Sequence, residues 1–415
     1  MFLALYANEK GEVLEHPQYK MLGRSGMDWI LPQQQEMIPL PRGASLVSIP
    51  GYFPVGIDSN DKLKHIESAA GGHNLHAIAA LLPQGFTRTL LPACVSPVKK
   101  TQLPLMGYAA VGFKDRNIWV AAAQSDEHRK WHPRFYNTEG LPGKIARMLK
   151  VFPENRILRQ LANCSLQYSC YTAQNLFYRR WEAGIPTMTA CNAECIGCIS
   201  ENHIQVDSPQ NRLNFQPSVQ EISELGQEHL NCAREGIISF GQGCEGEPSL
   251  NAENLARAIS KIRQYCDRGT ININSNAGYT AGIKQLCDTG LDSMRVTIFS
   301  CRDYNYNEYH RPRNYQLSDV KNSIRYAKER GVQVSLNMLT FPGFTDREEE
   351  IEALLDFVRK NKVDMIQLRN LNIDPDLLFH VIPPGGEVLG INQLIHILQQ
   401  ELPGLKIGSY THPVR

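Results

Sequence analysis

The chain has no apolar run of about 18 residues, the length a helix needs to cross a bilayer, so no transmembrane helix is expected. It has almost no net charge, because 43 Lys and Arg face 42 Asp and Glu and leave +1. That removes the global pull that draws basic proteins to nucleic acid or anionic membrane, although a local basic patch stays open. No internal repeat and no low-complexity stretch is visible, and a composition 42% hydrophobic and 20% charged argues against disorder. A secretory signal is not expected either, since the apolar start Met1-Phe2-Leu3-Ala4-Leu5-Tyr6-Ala7 meets Glu9 and Lys10 too early. Nor do the cysteines read as a disulfide framework: eleven is an odd number, and three of them crowd together. A reducing, cytoplasmic setting is the expected one.

Those three cysteines are the chain's most informative feature. Cys191-Asn192-Ala193-Glu194-Cys195-Ile196-Gly197-Cys198 spaces them C-x3-C-x2-C. Thiolate is a soft ligand that suits iron–sulfur clusters, zinc or Cu(I). A zinc knuckle, with Cys170 or His203 as fourth ligand, normally pairs C-x2-C with a second such pair further on, and that pair is missing. A [4Fe–4S] cluster takes four cysteines, so three in one loop leave one iron open to a small-molecule ligand. Iron–sulfur is therefore expected over zinc.

From about residue 184 onward, short apolar runs alternate with amphipathic stretches. Segment 185–190 leads into the cysteine loop, and 237–240, 270–274, 294–299, 332–339 and 363–368 read as further strands. Helical stretches at 219–235, 255–265, 283–288, 320–329, 348–358 and 391–400 separate or follow them. Strands alternating with helices imply βαβ units and a parallel sheet. Six repeats are too few for a complete eight-fold barrel; an open doubly wound sheet is the alternative.

The first 180 residues are less legible. Pro39, Pro41, Pro50 and Pro54 discourage long helices early on. A hairpin is expected where 107–113 and 117–123 flank Lys114-Asp115-Arg116, and helical periodicity runs from Pro142 to Trp181. The charged, aromatic stretch 126–134 reads as a solvated loop. The expected division is an N-terminal β-rich and α domain over 1–180, for substrate recognition or for covering a barrel, and a core over 181–415. Cys164 and Cys170 are read as core residues, because buried free cysteine behaves as a small hydrophobe. The alternative is a second cluster shared with Cys94, Cys232 or Cys244.

One strand and one helix after the cysteines comes Gly241-Gln242-Gly243-Cys244-Glu245-Gly246-Glu247-Pro248-Ser249-Leu250. C-x3-C-x2-C followed at that distance by Gly246-Glu247-Pro248 resembles the radical S-adenosylmethionine (radical SAM) superfamily, over roughly residues 184 to 370. The resemblance implies an α/β fold with a partial (β/α)6 TIM-like barrel. It implies that Cys191, Cys195 and Cys198 hold a [4Fe–4S] cluster whose open iron chelates the methionine end of S-adenosylmethionine. Gly246 and Glu247 would receive the amino group, Asn276 would line the substrate or sulfonium, and Thr297, Ser300 and Asn337 would make further polar contacts. Adenine would be held by backbone near Arg369-Asn370. The implied activity is reductive cleavage of the cofactor to a 5′-deoxyadenosyl radical that takes hydrogen from a substrate, with a flavodoxin- or ferredoxin-type electron donor. The large added domain suggests a protein or peptide substrate. RNA modification is a second possibility that near-zero charge does not favour, and a non-catalytic iron–sulfur or zinc carrier or sensor is a third.

Two absences narrow the resemblance. No cysteine follows Cys301, so the cysteine-rich C-terminal extension of peptide-modifying relatives is not expected, and no Asp-x-His-x-x-Gly cobalamin signature occurs. Tyr304, Tyr306, Tyr309, His310, Arg311, Arg313 and Tyr315 interleave aromatics with cations and suit either a substrate surface or packing on a helix. Asp346, ahead of Glu348, Glu349 and Glu350, is expected as a helix N-cap.

Overall fold

A computed structural model describes residues 1–67, 75–97, 103–126, 129–136, 138–203, 208–383 and 385–414. The chain divides into two units. The first comprises 1–128, 339–355 and 368–404, and the second 129–338, 356–367 and 405–415. The division falls after 128 rather than 180, because helices Leu141–Val151, Arg156–Gln167 and Tyr171–Tyr178 group with the second unit.

The first unit is built on antiparallel strands. Strand Leu3–Ala7 pairs with Val13–Met21, Val111–Lys114 and His76–Leu81. Its alternate residues Leu5 and Ala7 join Ile78, Ala80, Val111 and Val120 in one apolar cluster. The expected hairpin is present: Lys114 faces Asn117 across a two-residue turn. Both turn residues, Asp115 and Arg116, have positive φ (51° and 61°), the conformation that matches strand twist. The Asn370 side chain accepts from Arg88 N–H at 2.9 Å and donates to Phe86 C=O at 3.1 Å.

The second unit carries the parallel sheet except for 339–340 and 368–370, the last residues of two strands. Its strands are β1 (Arg180–Gly184), β2 (Arg234–Phe240), β3 (Thr270–Ser275), β4 (Ser293–Ile298), β5 (Gln333–Thr340), β6 (Met365–Asn370) and β7 (Lys406–Gly408). They lie in sequence order, β1 through β7. A doubly wound sheet reverses its order at a switch point; this one does not, so the partial α/β barrel is the architecture. Helices Val219–Cys232, Ala252–Tyr265, Thr280–Thr289 and Leu317–Glu329 make the crossovers between β1 and β5. The first of them starts on a capping box, with Ser218 and Glu221 satisfying each other's backbone N–H.

Two boundaries differ from expectation. The strand before the cysteine loop is Arg180–Gly184, and 185–190 continues as irregular extended chain. The preceding helix stops at Tyr178 because Arg179 turns left-handed at φ 52°. A seventh short strand, Lys406–Gly408, adds to the six expected. Among the described residues no helix is long and apolar enough to cross a membrane.

Barrel interiors are usually filled by branched apolar residues. Here one face of the sheet is polar: Thr270, Asn272 and Asn274 on β3, Ser293, Arg295 and Thr297 on β4, Ser335 and Asn337 on β5, and Gln367 on β6. The register aligns Asn274 with Arg295 and Ser335, and Thr297 with Asn337. Arg295 on β4 reaches both Glu182 on β1 and Gln367 on β6, which identifies the polar face as the concave one.

Candidate cluster and cofactor site

The cysteine loop rests on two beds. One is segment 309–313, after β4. Ile196 N–H donates to Tyr309 C=O (3.0 Å), Glu194 N–H to His310 C=O (3.1 Å), and Arg313 N–H to Asn192 C=O (2.7 Å). Glu194 and Arg313 also form an ion pair. The other bed is the glycine-rich loop after β2, where Gly246 N–H donates to Met188 C=O (2.7 Å) and Glu247 N–H to Ala190 C=O (2.8 Å). Only glycine fits at 246, since a Cβ there would lie 2.0 Å from the Ala190 oxygen. Glu245 clamps the two loops. One of its oxygens accepts from Thr187 N–H (2.7 Å), Thr187 Oγ1 (3.0 Å) and Met188 N–H (3.1 Å). The other accepts from Gly241 N–H and from Gln242 N–H (3.2 Å). Burial pushes its carboxyl up to about 8 against the pull of these donors.

Each of two loop sulfurs has a polar neighbour. Cys195 Sγ lies 3.3 Å from His310 Nδ1, and Cys198 Sγ lies 3.5 Å from Ser200 Oγ. His310 Nε2 accepts the Phe299 N–H at 3.3 Å, which assigns the ring proton to Nδ1 and points it at the sulfur. Burial lowers His310 to about 3, so the ring is neutral. Burial and the nearby Glu247 carboxylate raise Cys191 to about 11. Burial and the two neighbouring thiols hold Cys195 well above the ordinary thiol range. Thiols coordinate metal as thiolates, so loading this site releases protons.

The donor set fits a [4Fe–4S] cluster: three soft thiolates in one loop, with the His310 Nδ1–H directed at one of the sulfurs. Among the described residues no three His, Cys, Asp or Glu side chains converge on one point as around a single ion. A cluster spreads its irons over several corners and does not require that convergence. The two fourth ligands considered for zinc stand otherwise engaged. Cys170 Sγ lies 3.3 Å from Thr172 Oγ1, and His203 faces Glu201 at 3.4 Å.

Glu247 is 4% exposed. It accepts from Ser275 Oγ (2.6 Å), Ser249 N–H (3.0 Å) and Asn276 N–H (2.8 Å). A carboxylate offers about four lone-pair positions, so one remains. Burial raises its pKa. Asn276 Nδ2 donates to Asn192 Oδ1 at 2.7 Å, tying the end of β3 to the cysteine loop. Gly246, Glu247 and Asn276 thus meet the cysteine loop. Thr297 and Asn337 pair with each other at 3.1 Å on the concave face. Ser300 is fully buried, and its Oγ accepts from Arg302 N–H at 3.1 Å.

Inside the barrel, Glu182 accepts from Ser239 Oγ (2.7 Å) and Gln242 Nε2 (2.8 Å) and pairs with Arg295 at 3.7 Å. Arg295 Nη1 also donates to Gln367 Oε1 and Thr411 Oγ1, each at 3.1 Å. Among the described residues, two buried donors in this layer have no protein partner, Asn274 Nδ2 and Arg295 Nε.

Residues 185–358 match the family described as Radical SAM superfamily. The chain carries a radical SAM domain. The superfamily uses a [4Fe–4S] cluster and S-adenosylmethionine. No curated protein matches the chain. Among solved structures, a radical SAM methyltransferase from Sphaerobacter thermophilus is 17% identical over 56% of this chain and 65% of its own, with TM-score 0.41. Streptococcus suis SuiB, solved bound to its precursor peptide SuiA, is 16% identical over 68% of this chain and 62% of its own, with TM-score 0.40. Methylornithine synthase is 14% identical over 65% of this chain and 75% of its own, with TM-score 0.37. The chain spans less than two thirds of the methyltransferase and of SuiB.

Around the radical SAM core, several residues stand apart from their expected roles. Tyr306, Tyr309, His310 and Tyr315 are buried, and the backbone of 309–313 carries the cysteine loop, so that stretch is packing and scaffold. In 126–134, Glu127 and His128 lie outside the described residues, whereas Trp131 is buried and stacks on Tyr136 and Tyr171. Asp346 turns its carboxylate back to Gly343 N–H (2.7 Å), and helix Glu348–Asn361 begins two residues later. The Glu245 clamp, the His310 ring beside Cys195 and the polar lumen lie outside the sequence motifs. The lumen had a signal: Thr270-Ile-Asn-Ile-Asn-Ser alternates polar and apolar where a doubly buried parallel strand should be almost wholly apolar.

Proposed function

We propose that this chain is a cytoplasmic radical SAM enzyme that cleaves S-adenosylmethionine reductively and takes hydrogen from a protein or peptide substrate. The observation that carries the reading is the clamp between two loops: the three-thiol loop is held against the Gly246-Glu247 loop by Glu245, Gly246 and Asn276. When bound, the cluster and cofactor supply a 5′-deoxyadenosyl radical after one electron from a flavodoxin- or ferredoxin-type donor. Glu247 offers its remaining acceptor position to the cofactor's ammonium group, where a charge-assisted hydrogen bond is strong because the carboxylate is buried. Glycine at 246 brings backbone close to that end. His310 and Ser200 orient Cys195 and Cys198. Thr297 and Asn337 present polar groups for the ribose, and Ser300 fixes the turn beneath them.

The peptide reading draws support from the lumen. Asn274 Nδ2 and Arg295 Nε are buried N–H donors in register on adjacent strands. Buried donors without partners are costly, and a ligand rich in acceptors, such as peptide carbonyls or a side-chain carboxylate, satisfies them. The first unit is assigned to substrate recognition. The test is label transfer under anaerobic, reducing conditions with deuterated candidate peptides. A substrate peptide delivers deuterium into 5′-deoxyadenosine. If no peptide transfers label while a deuterated RNA or small metabolite does, the peptide assignment is wrong.

A further inference from the structure

In the first unit, Arg24, Tyr52, Arg88, Cys94, Leu103 and Asp374 line a cavity of about 390 Å³ that is partly open to solvent. One charge in its wall lacks a counter-charge. Arg88 is 1% exposed. Its Nη1 donates to Tyr108 C=O at 3.2 Å, its Nη2 donates to Leu371 C=O, and its guanidinium lies 5.0 Å from the centre of the Phe341 ring. Among the described residues its Nε has no partner and no carboxylate pairs with it. Burial lowers its pKa to about 9, so it is still a cation at neutral pH. A buried cation without a counter-charge is strongly unfavourable. Two carbonyls and a ring face offset part of that cost, and a bound anion offsets the rest.

Asp374 supplies the complementary group. Its carboxylate is 5% exposed and caps helix Pro375–Val381. Oδ1 accepts from Asp376 N–H (2.8 Å) and Leu377 N–H (3.4 Å), and Oδ2 accepts from Leu103 N–H (2.8 Å). A carboxylate offers about four acceptor positions, so one remains on Oδ2. Asp374 and Arg88 share the cavity wall without pairing, whereas Arg24 is already held by Asp376 at 2.6 Å. A guanidinium that lacks an anion and a carboxylate with a spare acceptor position suit a ligand that carries a carboxylate beside an N–H. Leu91, Leu103 and Ile373 give the rest of the lining an apolar surface for its side chain.

We propose that this cavity binds an α-carboxylate and the N–H next to it, the end of a peptide chain or a free amino acid, with the carboxylate on Arg88 and the N–H on Asp374. No bond is made or broken. The site stands on these residues alone; that a peptide held here is the enzyme's substrate rests on the function proposed above.

The test is anaerobic calorimetry on the full, cluster-loaded chain. S-adenosylmethionine is kept in excess, so that the cluster iron is not open to the probes. The probes are N-acetyl-leucine, N-acetyl-leucinamide, leucine and inorganic phosphate. N-acetyl-leucine or leucine should bind, and the amide should not. Tighter binding of N-acetyl-leucine identifies a peptide end, and tighter binding of leucine identifies a free amino acid; either supports the site. Arg88→Met should weaken binding by at least about tenfold, as loss of a hydrogen bond to a charged group does. Cys94→Leu keeps both arginines, fills the cavity and should weaken binding as much; it decides the matter if Arg88→Met fails to fold. The proposal is overturned if neither carboxylate binds wild type, if the amide binds as well as the acid, or if phosphate binds more tightly than both. Unchanged affinity in either folded variant overturns it too. Binding is read without cofactor cleavage, so the site and the proposed reaction fail separately.

Discussion

Replacing Glu245 with Ala should be among the most damaging single changes near the cysteine loop. Its carboxylate holds four backbone N–H groups and one hydroxyl, from Thr187, Met188, Gly241 and Gln242, and is 4% exposed. Each donor left buried and unpaired costs about 1–3 kcal/mol. Part of that is returned, because the carboxylate no longer has to be desolvated and the loops relax toward water. A net loss of about 3–5 kcal/mol follows, the range seen when a buried charged network loses a member. Glu245→Gln keeps one acceptor oxygen but turns an amide N–H2 toward N–H donors, so about half that loss is expected. Thr187 and Met188 lead directly into Cys191, so iron content should fall with stability. Anaerobic urea unfolding, with iron measured on the same samples, reads both. If Glu245→Ala lies within about 0.5 kcal/mol of wild type, as an ordinary surface substitution does, and keeps its iron, the clamp has been misread.

Three further outcomes follow from the same geometry. Glu247→Gln should keep its iron while S-adenosylmethionine binds about ten- to a hundred-fold more weakly, from about 1.5–3 kcal/mol for a hydrogen bond to a charged group; anaerobic calorimetry measures it, and unchanged affinity removes the carboxylate from the cofactor site. His310→Phe removes the Nδ1–H directed at Cys195, and a hydrogen bond of about 1 kcal/mol corresponds to a one-electron potential about 40 mV more negative, read by redox titration of the loaded protein. His229 is buried, has its Nε2 2.7 Å from Trp181 C=O, and is lowered by burial to about 4 from 6.5. The unfolded chain therefore takes up this proton first. Stability is full above about pH 6.5 and falls as pH drops toward 4, by about 3 kcal/mol in all. His229→Gln should flatten that slope in thermal melts, and an unchanged slope refutes the assignment.

What was legible in the sequence was chemistry confined to short stretches. C-x3-C-x2-C and Gly246-Glu247-Pro248 declare themselves by spacing, because their ligand geometry is local. The hairpin at Asp115-Arg116 is local in the same sense. What escaped depends on which distant residues meet. Two glutamates two residues apart look equivalent in the chain, yet Glu245 clamps 187–188 while Glu247 reaches 275–276. Aromatics and cations at 304–315 resemble a binding surface until burial shows that most of the aromatics are packed. β1 was hidden because Arg180-Trp181-Glu182 breaks the apolar run, and Glu182 faces the lumen where it pairs with Arg295.

The central claim is that three loop thiols and the Glu247 loop form one cofactor site that does chemistry. Anaerobically reconstituted protein, given a strong reductant and S-adenosylmethionine, should therefore make 5′-deoxyadenosine and methionine, slowly even without substrate. Cys191→Ala/Cys195→Ala/Cys198→Ala should make neither. If fully loaded, reduced wild type never exceeds a protein-free control, with candidate substrates present or absent, the chain is a carrier or sensor and the enzyme account is contradicted.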